Sequence, residues 1–93
     1  MMQRFFVFVR ADPGKTHDLG LALAQSGIEH IRDISSISGK WDLLLRVEID
    51  NRRDISEDVI AKLFKLPHIR KTKTIVAYKV YDPADYTLDD DFG

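Results

Sequence analysis

Two strand–helix units flank one short hairpin, Ser38-Gly39-Lys40-Trp41-Asp42, which runs into the apolar segment Leu43-Leu44-Leu45. That order, β-α-β-β-α-β, constrains the chain more than any other feature. Crossovers of fixed hand turn it into a ferredoxin-like α+β fold. The sheet is antiparallel, its first and third strands are central, and both helices lie on one face. The other face is left bare. A bare apolar sheet face in so small a domain predicts a sheet-to-sheet partner.

Residues 3–11 read as a strand with Phe5, Val7 and Val9 on one face and Phe6 and Phe8 on the other. A strand apolar on both faces is buried on both. Asp12-Pro13-Gly14 reads as a helix start, with Asp12 as N-cap and Pro13 in the first helical position. Leu19, Ala22 and Leu23 form its buried stripe, and Gly27 ends it. Residues 28–37 carry Ile28, Ile31, Ile34 and Ile37, a spacing closer to helical than extended. Their β-branched content and serines favour an edge strand with a bulge.

Residues 42–50 alternate cleanly. Leu43, Leu45, Val47 and Ile49 fall on one face, with Leu44, Arg46 and Glu48 on the other. Asp54-Ile55-Ser56-Glu57 fits a capping box opening a helix to about Leu66. Ile55, Val59, Ile60, Leu63 and Phe64 are its inward residues, and Pro67 stops it. Residues 69–81 are the last strand, ended by Pro83. Arg32, Asp33, Lys71, Lys73 and Lys79 mark the second and fourth strands as edges.

Ninety-three residues make one domain with a modest core. The lack of cysteine excludes disulfides and thiolate chemistry. The run Phe5–Val9 is too short for a signal-peptide core, and nothing approaches a membrane span. A cytoplasmic protein is expected. The net charge of −1 hides an asymmetry: residues 1–81 carry +4 and the tail, residues 82–93, carries −5. A body so evenly mixed in sign does not read as a nucleic-acid surface.

The segments Pro13-Gly14-Lys15, Ser38-Gly39-Lys40-Trp41-Asp42-Leu43-Leu44 and Leu66-Pro67-His68-Ile69-Arg70-Lys71-Thr72-Lys73-Thr74 occur in this order. With them, the stretch from Phe6 to Tyr81 resembles the ligand-sensing (RAM) domain of the Lrp/AsnC transcription regulators, the leucine-responsive and asparagine regulator family. The resemblance implies a ligand-binding domain over residues 1–81. It implies dimers formed through the sheets (a dimeric α+β barrel), which ring into larger assemblies, often octamers. It also implies an amino acid or similar small effector bound between dimers near the hairpin. Carried over, Gly39 and Asp42 of the hairpin and Thr72 and Thr74 of the last strand become the contacts, with Trp41 beside them. Asp42 would pair with an ammonium, and backbone N–H groups near Gly39 would take a carboxylate. Family regulators carry an N-terminal helix-turn-helix. This chain begins at the first strand, so it reads as a stand-alone sensor without direct DNA binding, acting with itself or with full-length regulators. No cofactor or metal is implied.

The residues alone leave alternatives open. Asp42 can brace its own turn, Gly39 can serve its backbone angles, and Thr72 and Thr74 can be ordinary strand residues. Trp41 can line a pocket or anchor an interface. His17, His30 and His68 lack metal-ligand spacing and read as surface residues. Ser35, Ser36 and Ser38 have no elbow motif, and Pro13-Gly14-Lys15 lacks the P-loop pattern. Asp89-Asp90-Asp91 reads as a solvated tail, although Tyr81, Tyr86 and Phe92 allow docking on a neighbouring subunit. A small monooxygenase-like barrel enzyme is a rival reading, with Arg10, Arg46 and Glu48 as its strand charges; a ligand-free interaction module is another.

Overall fold

A computed structural model describes residues 1–86. Four strands form one antiparallel sheet: β1 (Met2–Ala11), β2 (Ile31–Ser36), β3 (Leu43–Asp50) and β4 (Ile69–Ala77), in the order β2-β3-β1-β4. The two most apolar strands are central and the charged ones are edges, as the ferredoxin-like pattern requires. Helix α1 (Thr16–Gln25) follows β1; α2 (Ala61–Leu63) follows β3 and is entered through a π-helical turn, Ser56–Ile60. A short 3-10 turn, Pro83–Tyr86, comes last. Among the described residues no helix is long and apolar enough to cross a membrane.

Both helices pack on the sheet face that carries Phe5, Val7 and Val9 of β1 and Leu43, Leu45, Val47 and Ile49 of β3. Leu19 and Leu23 of α1, with Val59 and Leu63 of the second helical segment, close this core. Alternation along β3 is complete: every second residue is buried. The opposite face shows Phe6, Phe8 and Leu44 half-buried and Ile75 exposed, which is the bare face expected.

The spacing of three along β2 has a physical cause. Pairing with β3 slips between Ile31 and Asp33, so Ile31 lies opposite Val47 and Ile34 opposite Leu45. One extra residue restores both isoleucines to the core face.

Four local expectations are corrected. Asp12 does not cap α1. It accepts the Lys15 N–H through its backbone carbonyl at 2.9 Å in a turn, and the helix starts at Thr16. Gly14 at φ +76° is incompatible with right-handed helix there. Asp54 does cap, its Oδ1 accepting the Ser56 N–H at 2.9 Å, but Phe64 points outward, 54% exposed. The π-helical turn advances the register and α2 ends at Leu63, so the regular 3.6-residue stripe does not extend to Phe64. The last strand stops at Ala77, because its pairing with β1 ends at Arg4. Finally, His30 and His68 are half-buried rather than surface residues, each in left-handed backbone. The acidic run Asp89–Asp91 and Phe92 lie outside the described residues.

Candidate functional site

The hairpin between β2 and β3 is closed by the Ile37 N–H donating to the Asp42 carbonyl at 3.0 Å. Gly39, at φ +100°, makes the turn; a Cβ there would meet no atom but would demand a strained backbone. Trp41 leaves the turn toward the bare sheet face. Its ring lies 5.9 Å from Phe8, tilted by 46°, and the Lys71 Nζ stands 5.9 Å from its centroid.

Asp42 is half-buried and works across the sheet rather than within its own turn. Its N–H donates to the Val9 carbonyl at 3.0 Å, and its Oδ2 accepts the Ala11 N–H at 2.8 Å. On the other edge of β1, the ladder with β4 slips. Arg10 pairs with Lys71 but Ala11 with Ile69, so Arg70 is an extra, bulged residue. The Ala11 N–H itself faces β3, whose pairing with β1 ends at Val9 and Leu43, so the Asp42 carboxylate supplies the acceptor that the β1–β3 ladder no longer does.

Around Asp42 opens a cleft of about 700 Å³ between the end of β1, the turn into α1 and the start of β4. Arg10, Arg70 and Lys71 line it with cations; Asp12 and Asp42 contribute carboxylates; Gly14 and Thr16 belong to the turn and the helix start. His68 Nδ1 lies 3.9 Å from Asp12 Oδ2 at its edge. Of the five residues expected from sequence, Asp42 alone lines this cleft. Gly39 and Trp41 sit on the hairpin beyond it. Thr72 and Thr74 pair with Val9 and Val7, which places them on the helix side of edge strand β4, Thr72 half-buried and Thr74 exposed. Arg10, Arg70 and Asp12 were not expected here. The sequence reads Pro13-Gly14 as a helix start rather than as this turn, and no motif shows the register slip that gathers the arginines.

The charges at the centre of the bare face are matched. Arg46 Nε donates to Asp33 Oδ2 at 2.8 Å, its Nη1 donates to Glu48, and Arg4 approaches Glu48 at 4.0 Å. The Asp33 hydrogen bond is the main reason the Arg46 guanidinium holds its proton more tightly than usual. Arg46 and Glu48 therefore pair as structural ions. Among the described residues no His, Asp and Glu cluster is arranged to hold a metal.

The chain is similar to an HTH-type transcriptional regulator of Pyrococcus abyssi, at 32% identity over 78% of this chain and 49% of that protein. It spans about half the length of the curated relatives it matches. In fold it is similar to a solved protein of Thermus thermophilus, with TM-score 0.73 and 22% identity over 86% of this chain and 98% of the other. It is also similar to a Neisseria meningitidis transcriptional regulator solved as an L-Met complex, with TM-score 0.67 and 16% identity over 83% and 50%. The Lrp/AsnC ligand binding domain family matches residues 4–86. Four strands in the order β2-β3-β1-β4, two helical segments on one face and that match together place this chain in the Lrp/AsnC ligand-binding domain family.

Proposed function

We propose that this domain is a non-enzymatic effector sensor. It binds a small amino-acid-like molecule in the cleft beside Asp42 and couples occupancy to self-association through the bare sheet face. One observation carries the reading: a single cleft offers carboxylates and guanidinium groups together, the two complements of a zwitterion. The Neisseria relative solved with L-Met supports the ligand class.

The assembly is a dimer through Phe6, Phe8, Leu44 and Ile75, with dimers joining further. Burying each phenylalanine contributes about 1.5–3 kcal/mol. Cleft and face are linked, because Lys71 lines the first and stands over Trp41, which packs on Phe8 of the second. An effector shifts this equilibrium only by binding the assembled and free states unequally. The domain reaches transcription through family regulators rather than by contacting DNA itself.

Thermal shift against the twenty amino acids, with light scattering in parallel, tests the proposal. At least one amino acid should raise the melting temperature and change the mass distribution. No shift at millimolar concentration, or a stable monomer of 10.7 kDa at micromolar concentration, would refute it.

A further inference from the structure

We infer that the effector of this cleft is an acidic amino acid, one ammonium with two carboxylates; this rests on the effector role proposed above. The argument begins in the β1–β4 ladder. Arg10 lies directly opposite Lys71. Like charges directly opposite on a sheet destabilise it. One step on, the register slips and leaves Arg70 as the extra residue. Bulges re-aim side chains, and here Arg70 lines the same cleft as Arg10 and Lys71.

Three cations thus meet in one place, and none of them forms an ion pair among the described residues. Arg4, Arg46, Arg52 and Arg53 each have a carboxylate partner and Arg32 on β2 has none among the described residues; what sets Arg10, Arg70 and Lys71 apart is that they line one cleft. The fold gains nothing visible from gathering unpaired positive charge. Local rules broken without a structural return belong to functional sites.

Charge balance selects the ligand. The cleft holds three cations against the carboxylates of Asp12 and Asp42, a surplus of one positive charge. A neutral zwitterion leaves that surplus standing; an acidic amino acid cancels it. Asp42 faces the ammonium. Arg10 and Arg70 each present a planar fork that fits a carboxylate bidentately. Lys71 is shared between the cleft and the ring of Trp41. A cleft of about 700 Å³ has room for such a molecule.

Titration calorimetry on the full chain decides it, with L-glutamate against L-glutamine and L-aspartate against L-asparagine at fixed ionic strength. Within each pair the shape is constant and only the charge differs. One acid should bind about tenfold or more tighter than its amide, with the preference shrinking as salt rises. Arg70→Gln and Arg10→Gln should each remove most of that preference at unchanged oligomer mass. Acids binding no tighter than their amides would overturn the inference, as would a preference surviving in Arg70→Gln. Inorganic phosphate binding as tightly as the acid would also overturn it, by making the cleft a general anion site. If leucine or methionine binds in an Asp42-dependent way while the acids gain nothing, this inference falls and the effector role stands. If no amino acid binds at millimolar concentration, the effector role itself falls.

Discussion

Substituting Asp42 separates bracing from binding. Ala11 is only 5% exposed, and its N–H has the Asp42 carboxylate as acceptor at 2.8 Å beside the β1–β4 bulge. Asp42→Ala leaves that N–H without an acceptor in a place water reaches poorly, at a cost of about 1–3 kcal/mol. Asp42→Asn keeps an oxygen in the same position but makes the bond neutral, so its cost falls to about 1 kcal/mol. Urea unfolding at one fixed protein concentration reads both, since self-association would otherwise shift the midpoint. A 2 kcal/mol loss moves the midpoint by roughly 1 M for a slope of about 2 kcal/mol/M. Effector affinity gives the second axis. Asp42→Asn loses a charge-assisted contact to the ammonium, about ten- to a hundredfold in Kd, at nearly native stability. Asp42→Ala within about 0.5 kcal/mol of the parent would refute the bracing role. Undiminished effector binding by Asp42→Asn would refute the ammonium contact.

Leu45, fully buried at the centre of β3, should cost about 2–5 kcal/mol when truncated to alanine, read by the same unfolding assay. Phe8→Asp places a charge on the bare sheet face, so light scattering should show the assembly falling toward the 10.7 kDa monomer while circular dichroism stays native. Asp50 is held well below its ordinary value of 3.8, first by the Arg52 side chain and then by the Arg52 backbone N–H. A carboxyl depressed in the fold adds stability above the unfolded value and loses it as pH falls toward the folded one. The stability gap between parent and Asp50→Asn should therefore be widest above about pH 5 and close on acidification below about pH 4; a gap that widens in acid would contradict the pairing.

The strand order was legible because apolar content ranks the strands, and the two richest in apolar residues must be central. The bulge in β2 was legible too, since only an extra residue reconciles isoleucines at a spacing of three with one buried face. Other features depend on what a segment pairs with. Tyr78 and Val80 continue the alternation of β4, yet the strand ends at Ala77 where β1 pairing ends. Phe64 fits a 3.6-residue stripe, and the π-helical turn before it breaks the phase. The cleft shows the same limit. Asp42 stands out in the hairpin motif, but Arg10 and Arg70 acquire meaning only through a one-residue slip between strands far apart in sequence.

That slip also ties the cleft to the sheet face. The bulge on the β4 side of β1 releases Arg70, and on the β3 side the Ala11 N–H is held by Asp42, so the end of β1 carries the cleft's cations on one edge and its main carboxylate on the other. Lys71, the residue before the slip, lines the cleft and faces the ring of Trp41, the single tryptophan. A carboxylate entering the cleft competes for the Lys71 charge and weakens its hold on that ring. Trp41 is then freer to repack against Phe8, at the edge of the face assigned to self-association. By reciprocity, assembly that fixes Trp41 alters effector affinity by the same factor with which the effector alters assembly. A cation–π contact between partly solvated groups is worth about 0.5–1 kcal/mol, which limits this route to roughly a two- to sixfold effect per subunit. Coupling larger than that must come from the effector bridging subunits directly, and the ratio of assembly constants with and without effector distinguishes the two.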